Sequence, residues 1–491
     1  MFNKKLSVIS YLLLVIFIIA AFFRLYNITQ IPPGLYPDEA MNGNNALEAI
    51  ATDPPTGGWK IFYPENNGRE GLFINIQALS LLIFGNQPWA LRLVSAIFGI
   101  LTVLGLYFLA LALFKDKKIA LLSAFLLAVS FWHINFSRIG FRAIMAPFFL
   151  TWAVYFLIKS FEHWGVKKAI VGGIFFGLGF YSYIAYRATP LLILIIFIYW
   201  YLKYRDLRKE ITKKFIVFTL TSIIVFAPLG YYFLTHPQDF FGRTAQISVF
   251  SSPTPIKTLA LNVAKTAGMF NFTGDLNWRH NYAGTQELFW PVGIMFLTGL
   301  ILGIYNLFRK STFIWDRFAY LTIFLWLAIA ALPVVVSGEG IPHALRSILM
   351  IPPIFMLAGF GGILIYEKLK KIFPNKFFLF AIRYSLFAFI IISAYQTYFI
   401  KWANNQNTKD AFDETSVLTG RELNSLPKEL PKYVVVPRNG VDVRGISMPS
   451  QTIMFITDTF TPEKQKEKNI FYVSPDQINQ IPSAAYVVKL K

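Results

Sequence analysis

The stretch LSVISYLLLVIFIIAAFF, residues 6–23, carries no charged side chain and is long enough to cross a lipid bilayer as a helix. It is longer than the apolar region of a typical signal peptide, and no A-x-A-like cleavage site follows it. We therefore expect an uncleaved first membrane helix. Soon after it comes PPGLYPDEAMNG, residues 32–43, which holds the first acidic residues of the chain, Asp38 and Glu39.

The composition is that of a polytopic membrane protein. Of the 491 residues, 55% are hydrophobic, 17% are aromatic and only 15% are charged. The apolar residues form long blocks rather than an amphipathic pattern. The formal net charge of +20 does not indicate a nucleic-acid-binding protein, because the basic residues are dispersed between apolar blocks. The absence of cysteine excludes disulfides, thiol chemistry and cysteine-ligated metals.

Apolar blocks of spanning length recur along the chain, and they predict an all-α polytopic membrane domain. We count about eleven spans: 6–23, 89–114, 119–136, 143–161, 168–185, 188–203, 214–234, 289–308, 318–337, 344–366 and 377–400.

The loops between these blocks predict an orientation in the plasma membrane. With a cytoplasmic N-terminus, every inner loop is short and net basic, as the positive-inside rule requires. These loops are 115–118, 159–168, 203–214, 308–317 and 367–376. The outer loops are then 24–88, 137–142, 186–187, 235–288 and 338–343, and the C-terminal tail also lies outside.

Two interfacial helices are expected in the first outer loop. Asp38 follows a proline and is a candidate cap for a helix through Ala40, Leu47 and Ile50. The apolar piece Leu72–Phe84 is too short to span and has polar flanks.

The tail differs in composition from the rest of the chain. It is polar, with short apolar runs at 433–437, 452–458, 469–473 and 484–490. This spacing predicts a small extracytoplasmic α/β domain at 403–491, after a transmembrane domain at 1–402.

The candidate functional residues gather on the outer side, where four of the five histidines also fall. None of the predicted spans has an acid at mid-depth, which argues against an ion-coupled transporter. Arginine forks on that side suit a lipid phosphate, and a carboxylate can act as a base toward a hydroxyl. Simpler roles remain open: Asp38 as a helix N-cap, Glu39 as a first-turn acid favoured by the helix dipole, the arginines as headgroup anchors, Arg69 as a solvated loop charge and His343 as an interfacial histidine.

Several motifs, in this order, resemble the GT-C class of membrane glycosyltransferases, in particular the protein O-mannosyltransferase and aminoarabinose transferase relatives. They are GLYPDEA, NNGREGLFINIQALSL, PWALRLVSAIFG, SFWHINFSRIGFRAIMAPFFL and GLGFYSYIAYRATPLL, and the resemblance covers most of the chain. It implies transfer of a sugar from a polyprenyl-phosphate carrier to a protein, lipid or glycan acceptor on the outer face. Some relatives carry a second acid before the fourth span, which HINFSRIGFR lacks.

The resemblance assigns the family's first-loop acid to Asp38, as a base or metal ligand, with Glu39 beside it. A divalent metal held by these two residues is one option, and no nucleotide cofactor is expected. The predicted substrate-binding residues are Tyr36, Arg69, Arg138, Arg142, Tyr183, Arg187, His343 and Arg346. The alternatives are a lipid-linked-sugar flippase or transporter, which would favour broken helices and an internal repeat, and a surface polysaccharide polymerase or ligase.

Overall fold

The computed structural model describes residues 8–51, 58–162, 165–246, 249–309, 314–338 and 340–490. Helices dominate the part before residue 403. They are α1 (Val8–Leu25), α2 (Pro37–Ile50), α3 (Gly71–Phe84), α4 (Pro88–Phe114), α5 (Lys117–Ala128), α6 (Phe131–Phe136), α7 (Met145–Glu162), α8 (Val166–Gly179), α9 (Pro190–Lys203), α10 (Arg208–Thr235), α11 (Pro237–Gln246), α12 (Pro255–Gly268), α13 (Trp290–Phe308), α14 (Ile314–Val335), α15 (Ile351–Ile372) and α16 (Lys376–Tyr395), the last continued by a π-helical segment Gln396–Trp402.

Eight helical stretches of the described chain are long and apolar enough to cross a membrane. They are Pro88–Phe114, Arg142–Glu162, Ile184–Lys203, Arg205–Thr235, Trp290–Phe308, Arg317–Val335, Ile348–Ile372 and Lys376–Trp402. The predicted membrane-protein class is thus supported, but the count of eleven is not confirmed. The other three predicted spans are helical and shorter: α1, α5 with α6, and α8. The block 119–136 divides at Val129 and Ser130, because Ser130 caps α6.

Small residues allow the helices of the bundle to pack closely. A β-carbon built on Gly299 of α13 would lie 1.9 Å from the carbonyl oxygen of Leu357 in α15. One built on Gly361 would lie 2.0 Å from the carbonyl oxygen of Met295. The two backbones therefore touch, as is common where apolar side chains alone cannot hold helices together in lipid.

Between α1 and α4 the chain forms the segment that positions the candidate site. Both predicted short helices are present, as α2 and α3. Between them lies a two-stranded antiparallel hairpin of β1 (Phe62–Tyr63) and β2 (Arg69–Glu70). Asn66 and Asn67 take positive φ angles in its turn, a conformation that asparagine tolerates better than most residues.

The tail contains both helices and strands. Its helices are α17 (Gln406–Ala411), α18 (Glu414–Ser425), α19 (Gln451–Thr457) and α20 (Pro462–Lys468). Strands β3 (Lys432–Val435), β6 (Ile470–Val473) and β7 (Tyr486–Lys489) form a parallel sheet in the order β6-β3-β7, and β4 (Asp442–Val443) pairs with β5 (Ile446–Ser447). Three of the four predicted apolar runs contain strands, and the remaining run, 452–458, overlaps α19.

Helix α19 packs directly on α2. A β-carbon on Gly43 of α2 would lie 2.4 Å from the Phe455 ring, so glycine is needed for this close contact. Asn44 donates to the carbonyl and side-chain oxygens of Gln451 at 3.1 and 2.9 Å. The tail thereby covers one side of the helix that carries the acid pair.

Candidate functional site

Glu39 forms a buried ion pair at the start of α2. Its carboxylate accepts hydrogen bonds from Nε and Nη2 of Arg92 at 3.0 and 3.2 Å, and from the backbone amide of Gly140 at 2.7 Å. Arg92 also donates to the carbonyl oxygens of Pro32 and Gly34 at 2.6 and 2.9 Å. Both carboxylate oxygens are therefore engaged, and the pair joins α2, α4 and two loops.

Asp38, the neighbouring acid, has a different environment. It is half-buried, and its Oδ1 accepts a hydrogen bond from Asn66 Nδ2 at 2.8 Å, which links α2 to the hairpin turn. The N-cap of α2 is Tyr36, so the expectation that Asp38 caps this helix is wrong. Asp38 lies in the first turn, where the helix dipole favours a negative charge.

Arg69, in strand β2 of the hairpin, is fully buried. It donates to the side-chain oxygens of Asn42 and Asn45 at 2.8 and 2.5 Å. Burial lowers the pKa of Arg69 to about 10, and repulsion from Arg142 adds to the effect, while the negative charge of Asp38 opposes it. The alternative of a solvated loop charge for Arg69 is thus wrong: its guanidinium is buried, within the electrostatic reach of Arg142 and Asp38.

Glu70 connects two further arginines. It accepts a hydrogen bond from Arg142 Nε at 2.7 Å and lies 3.7 Å from Arg187 Nη2. Arg187 donates to the carbonyl oxygen of Phe240 at 2.7 Å, and its guanidinium lies over the rings of Phe233 and Phe240. One carboxylate faces two cations here, which leaves positive charge available for an anionic ligand.

A second polar cluster is built by the loops before α13 and α15. The carboxylate oxygen Oδ2 of Asp275 lies 3.0 Å from His280 Nδ1 and 3.8 Å from His343 Nδ1. The same oxygen accepts the backbone amide of Ala344 at 2.8 Å, and Oδ1 accepts that of Asn277 at 2.8 Å. The two imidazole rings lie 4.8 Å apart between centroids.

Burial determines the charge state of this second cluster. It lowers the pKa of His280, and, together with the neighbouring His280, it lowers the pKa of His343 to about 3. Burial opposes ionisation of Asp275, but its hydrogen bond from His280 leaves the pKa of this carboxyl below the ordinary value. Burial raises the pKa of Glu287 well above its usual range. At neutral pH the cluster therefore holds two neutral imidazoles and one carboxylate.

Arg279 connects this second cluster to the first one, which is the group of residues around Asp38 and the hairpin. Its guanidinium carbon lies 3.8 Å from the centroid of the Tyr36 ring, two residues before Asp38. Its backbone carbonyl accepts a hydrogen bond from Asn135 Nδ2 at 2.7 Å. Arg346 donates to Ser337 Oγ, and its backbone amide lies 3.4 Å from His343 Nδ1.

The predicted site residues divide into three groups. Asp38, Arg69, Arg142 and Arg187 are brought together around the hairpin, and His343 and Arg346 lie in the second cluster. Arg138 is fully buried and donates to the carbonyl oxygens of Phe23, Tyr26 and Ile31, so it braces the end of α1. Tyr183 is buried at the start of a short 3₁₀ turn.

Sequence reasoning missed Glu70, Asp275 and Arg279 as members of these clusters. Glu70 directly follows the predicted site residue Arg69 in a polar run before α3. This adjacency is a sequence signal that could have identified Glu70. Asp275 and Arg279 lie in the loop 235–288, among many polar residues, and no spacing distinguished them.

The tail reaches this region through Arg444. Its guanidinium donates to both carboxylate oxygens of Glu48 at 2.9 and 3.0 Å, and to Glu65 Oε1 at 2.8 Å. Glu48 lies in α2, and Glu65 lies in the hairpin turn beside Asn66. The tail, α2 and the hairpin are therefore connected by one side chain.

The sequence profile of the family described as dolichyl-phosphate-mannose-protein mannosyltransferase matches residues 72–232. No protein of curated function matches the sequence. Two crystal structures share the fold. The oligosaccharyltransferase of Archaeoglobus fulgidus in the apo form is 13% identical, with a TM-score of 0.50 over 98% of this chain and 67% of that one. ArnT from Cupriavidus metallidurans bound to undecaprenyl phosphate is 14% identical, with a TM-score of 0.53 over 98% of this chain and 92% of that one.

These comparisons confirm the resemblance to the GT-C glycosyltransferases at the level of the fold. The archaeal oligosaccharyltransferase has also been crystallised as a complex with zinc and sulfate, with a TM-score of 0.51 over 96% of this chain and 64% of that one, at 13% identity. The chain thus spans about two thirds of the oligosaccharyltransferase and most of ArnT.

The buried Glu39–Arg92 pair generates a stability prediction. Glu39→Gln keeps the size of the side chain but leaves the Arg92 charge buried without a counter-charge. Breaking such a pair typically costs about 3–5 kcal/mol. We expect a clearly lower melting temperature for the purified protein in detergent. The exposed Glu463→Gln in α20 serves as the matched control. Equal melting temperatures for the two variants would show that the pair contributes no net stability.

Proposed function

We propose that the protein is a membrane glycosyltransferase that moves a sugar from a polyprenyl-phosphate carrier to an acceptor hydroxyl. One observation carries the proposal: the half-buried Asp38 shares one polar cluster with Arg69, Arg142 and Arg187, which come from three separate segments. A base and a set of cations next to one another suit attack by a hydroxyl and departure of a phosphate. The matching mannosyltransferase profile and the shared fold support the same chemistry.

In the proposed reaction, Asp38 removes the proton of the acceptor hydroxyl. The freed oxygen attacks the anomeric carbon of the donor sugar, and a new glycosidic C–O bond forms. The bond between that carbon and the phosphate oxygen breaks, and the polyprenyl phosphate leaves with the electron pair. A single displacement of this kind inverts the anomeric configuration.

The charge of the departing phosphate needs cations that are already in place. Arg142 and Arg187 meet this requirement, because within the described part of the chain they share a single carboxylate, Glu70, between them. Phosphate oxygens accept the same forked hydrogen bonds as a carboxylate. The aromatic rings under Arg187 fix its direction without neutralising its charge.

A transfer assay with a panel of polyprenyl-phosphate sugars tests this function and identifies the donor. We expect turnover with one sugar class and inhibition by free polyprenyl phosphate. If the protein instead moves the lipid-linked sugar between leaflets and forms no glycosidic bond, it is a flippase. If a glycan is the only acceptor that is used, the protein is a polysaccharide polymerase or ligase instead of a protein- or lipid-directed enzyme.

The role of Asp38 has its own prediction. Asp38→Asn retains an oxygen that can accept the hydrogen bond from Asn66, so the melting temperature should change little. Loss of a general base lowers a rate by about a hundredfold to ten-thousandfold. The measurement is the transfer rate and melting temperature of Asp38→Asn beside Asp410→Asn, an exposed acid in α17. Transfer by Asp38→Asn at the wild-type rate would exclude Asp38 as the base.

We further propose eleven membrane crossings with a cytoplasmic N-terminus, and a division into a transmembrane part, 1–402, and an extracytoplasmic domain, 403–491. The basic bias of the predicted inner loops supports this orientation. Because the chain lacks cysteine, single cysteines at the exposed positions Asn67, Gln406 and Lys371 report it directly. In intact cells an impermeant thiol reagent should label the first two and not the third. Labelling of Lys371→Cys alone would show that the orientation is the reverse of the proposed one.

A further inference from the structure

The cluster of Asp275, His280 and His343 has the composition of a metal site. Its ligand atoms all lie within 4.8 Å of one another, and among the described residues it is the one group of three or more acidic or histidine side chains that converges in this way. At a zinc–nitrogen distance of about 2.0–2.1 Å, tetrahedral ligand atoms lie about 3.3 Å apart. The measured 3.0 and 3.8 Å from Asp275 Oδ2 to the two Nδ1 atoms fall on either side of this value.

The carboxylate is already held in position by the backbone. Amides from two different loops, Asn277 and Ala344, each donate to Asp275. The amide of Asp275 itself donates to the buried Glu287 at 3.0 Å. Hydrogen bonds to a ligand from its surroundings fix its orientation in metal sites generally.

The acid pair in the first loop fits a metal less well. Both oxygens of Glu39 accept hydrogen bonds from Arg92, and one also accepts the Gly140 amide. A buried cation therefore already occupies the position that a metal ion would need beside Glu39. These contacts do not favour the optional divalent-metal site at Asp38 and Glu39.

We propose that Asp275, His280 and His343 bind a divalent transition-metal ion of the zinc type. Two imidazoles and one carboxylate suit zinc better than magnesium or calcium, which prefer sites made wholly of oxygen. The ion would replace the hydrogen bond between His280 and Asp275, and the His280 proton would move to Nε2. It would join the loop before α13 to the loop before α15, and it would brace Arg279 against Tyr36.

Metal analysis tests this site without an activity assay. Purified wild-type protein should carry about one equivalent of zinc, and cobalt substituted into it should give a visible absorption band. Both signals should fall at least tenfold in His280→Ala and in His343→Ala. They should persist in His236→Ala, an exposed histidine outside the cluster.

The folding of the variants is controlled separately. Added zinc, and not magnesium, should raise the melting temperature of the wild type and of His236→Ala, but not of His343→Gln. A wild-type protein that neither contains nor takes up zinc or cobalt would overturn the proposal. Equal zinc content in wild type and both cluster variants would also overturn it.

A second observation concerns the tail and is independent of the metal. Arg444 lies at the tip of the β4–β5 hairpin, with its guanidinium packed over the Phe460 ring. Burial opposes ionisation of Glu65, but the hydrogen bond from Arg444 leaves the pKa of Glu65 below its ordinary value. The backbone carbonyl of Glu65 in turn accepts a hydrogen bond from Arg69 Nε at 3.3 Å.

We infer that Arg444 is a positioning residue for the first-loop acid, an inference that rests on the proposed function. Arg444 fixes the turn residue Glu65 against Glu48 of α2. The next residue, Asn66, holds Asp38. Displacement of this turn would move the carboxylate, and misplacement of a catalytic group by about 1 Å can lower a rate by about a hundredfold.

A double-mutant cycle tests this inference. We expect Arg444→Ala to lower kcat by about tenfold to a hundredfold with little change in the donor KM. Arg444→Lys should recover part of the rate, and the exposed Arg438→Ala in the same domain should leave it unchanged. In an Asp38→Asn background, Arg444→Ala should have no further effect, because its action passes through Asp38.

Two failures are distinguishable in this experiment. If the wild type transfers no sugar, the proposed function is wrong. If the wild type is active and Arg444→Ala behaves as Arg438→Ala does, or if its effect adds fully to that of Asp38→Asn, Arg444 does not position the acid.

Discussion

The buried pair of Glu39 and Arg92 is the interaction on which the candidate site depends. A guanidinium and a carboxylate inside a protein are tolerated only when their hydrogen-bonding groups are engaged. Here Arg92 also donates to two carbonyl oxygens of the loop before α2. A backbone amide of the loop before α7 donates a further hydrogen bond to the Glu39 carboxylate. The pair therefore fixes where α2 begins, relative to α4, and with it the direction in which Asp38 projects.

The tail holds the other side of α2. Gly43 and Asn44 face α19, and Glu48 faces Arg444, so contacts with the tail follow the helix from its middle to its last turn. These contacts are long-range in sequence, and they combine apolar packing, in which Met41 shares one cluster with Ile453 and Met454, with buried hydrogen bonds. A segment that only shielded the membrane part would not need buried hydrogen bonds to the helix with the acid pair. The arrangement favours a tail that shapes the site.

Much of the fold could be predicted from sequence because lipid imposes a simple rule on it. Blocks such as 89–114 and 377–400 must be helical, since no water satisfies their backbone groups. The block 119–136 forms two helices instead of the single helix that was expected, because hydropathy does not detect a capping serine such as Ser130. Arg142 and Arg187 were predicted from their charge at the ends of apolar blocks, and Asp38 from the first acid pair of the chain. Glu70 and Asp275 were missed because Arg142, which contacts Glu70, and His343, which contacts Asp275, are distant in sequence, and pairing across loops leaves no periodic signal.

The adjacent acids Asp38 and Glu39 show why a motif alone does not assign roles. Consecutive residues of a helix point about 100° apart, so two neighbours in one turn face different surroundings. Glu39 turns inward to Arg92 and Gly140, where a carboxylate is fully engaged. Asp38 turns toward the hairpin and keeps partial access to solvent, beside buried Arg69. The first orientation suits a fixed structural charge, and the second suits a group that must exchange a proton with a substrate. The same dipeptide can thus supply both the anchor of the site and its proposed base, because the helix separates the two side chains.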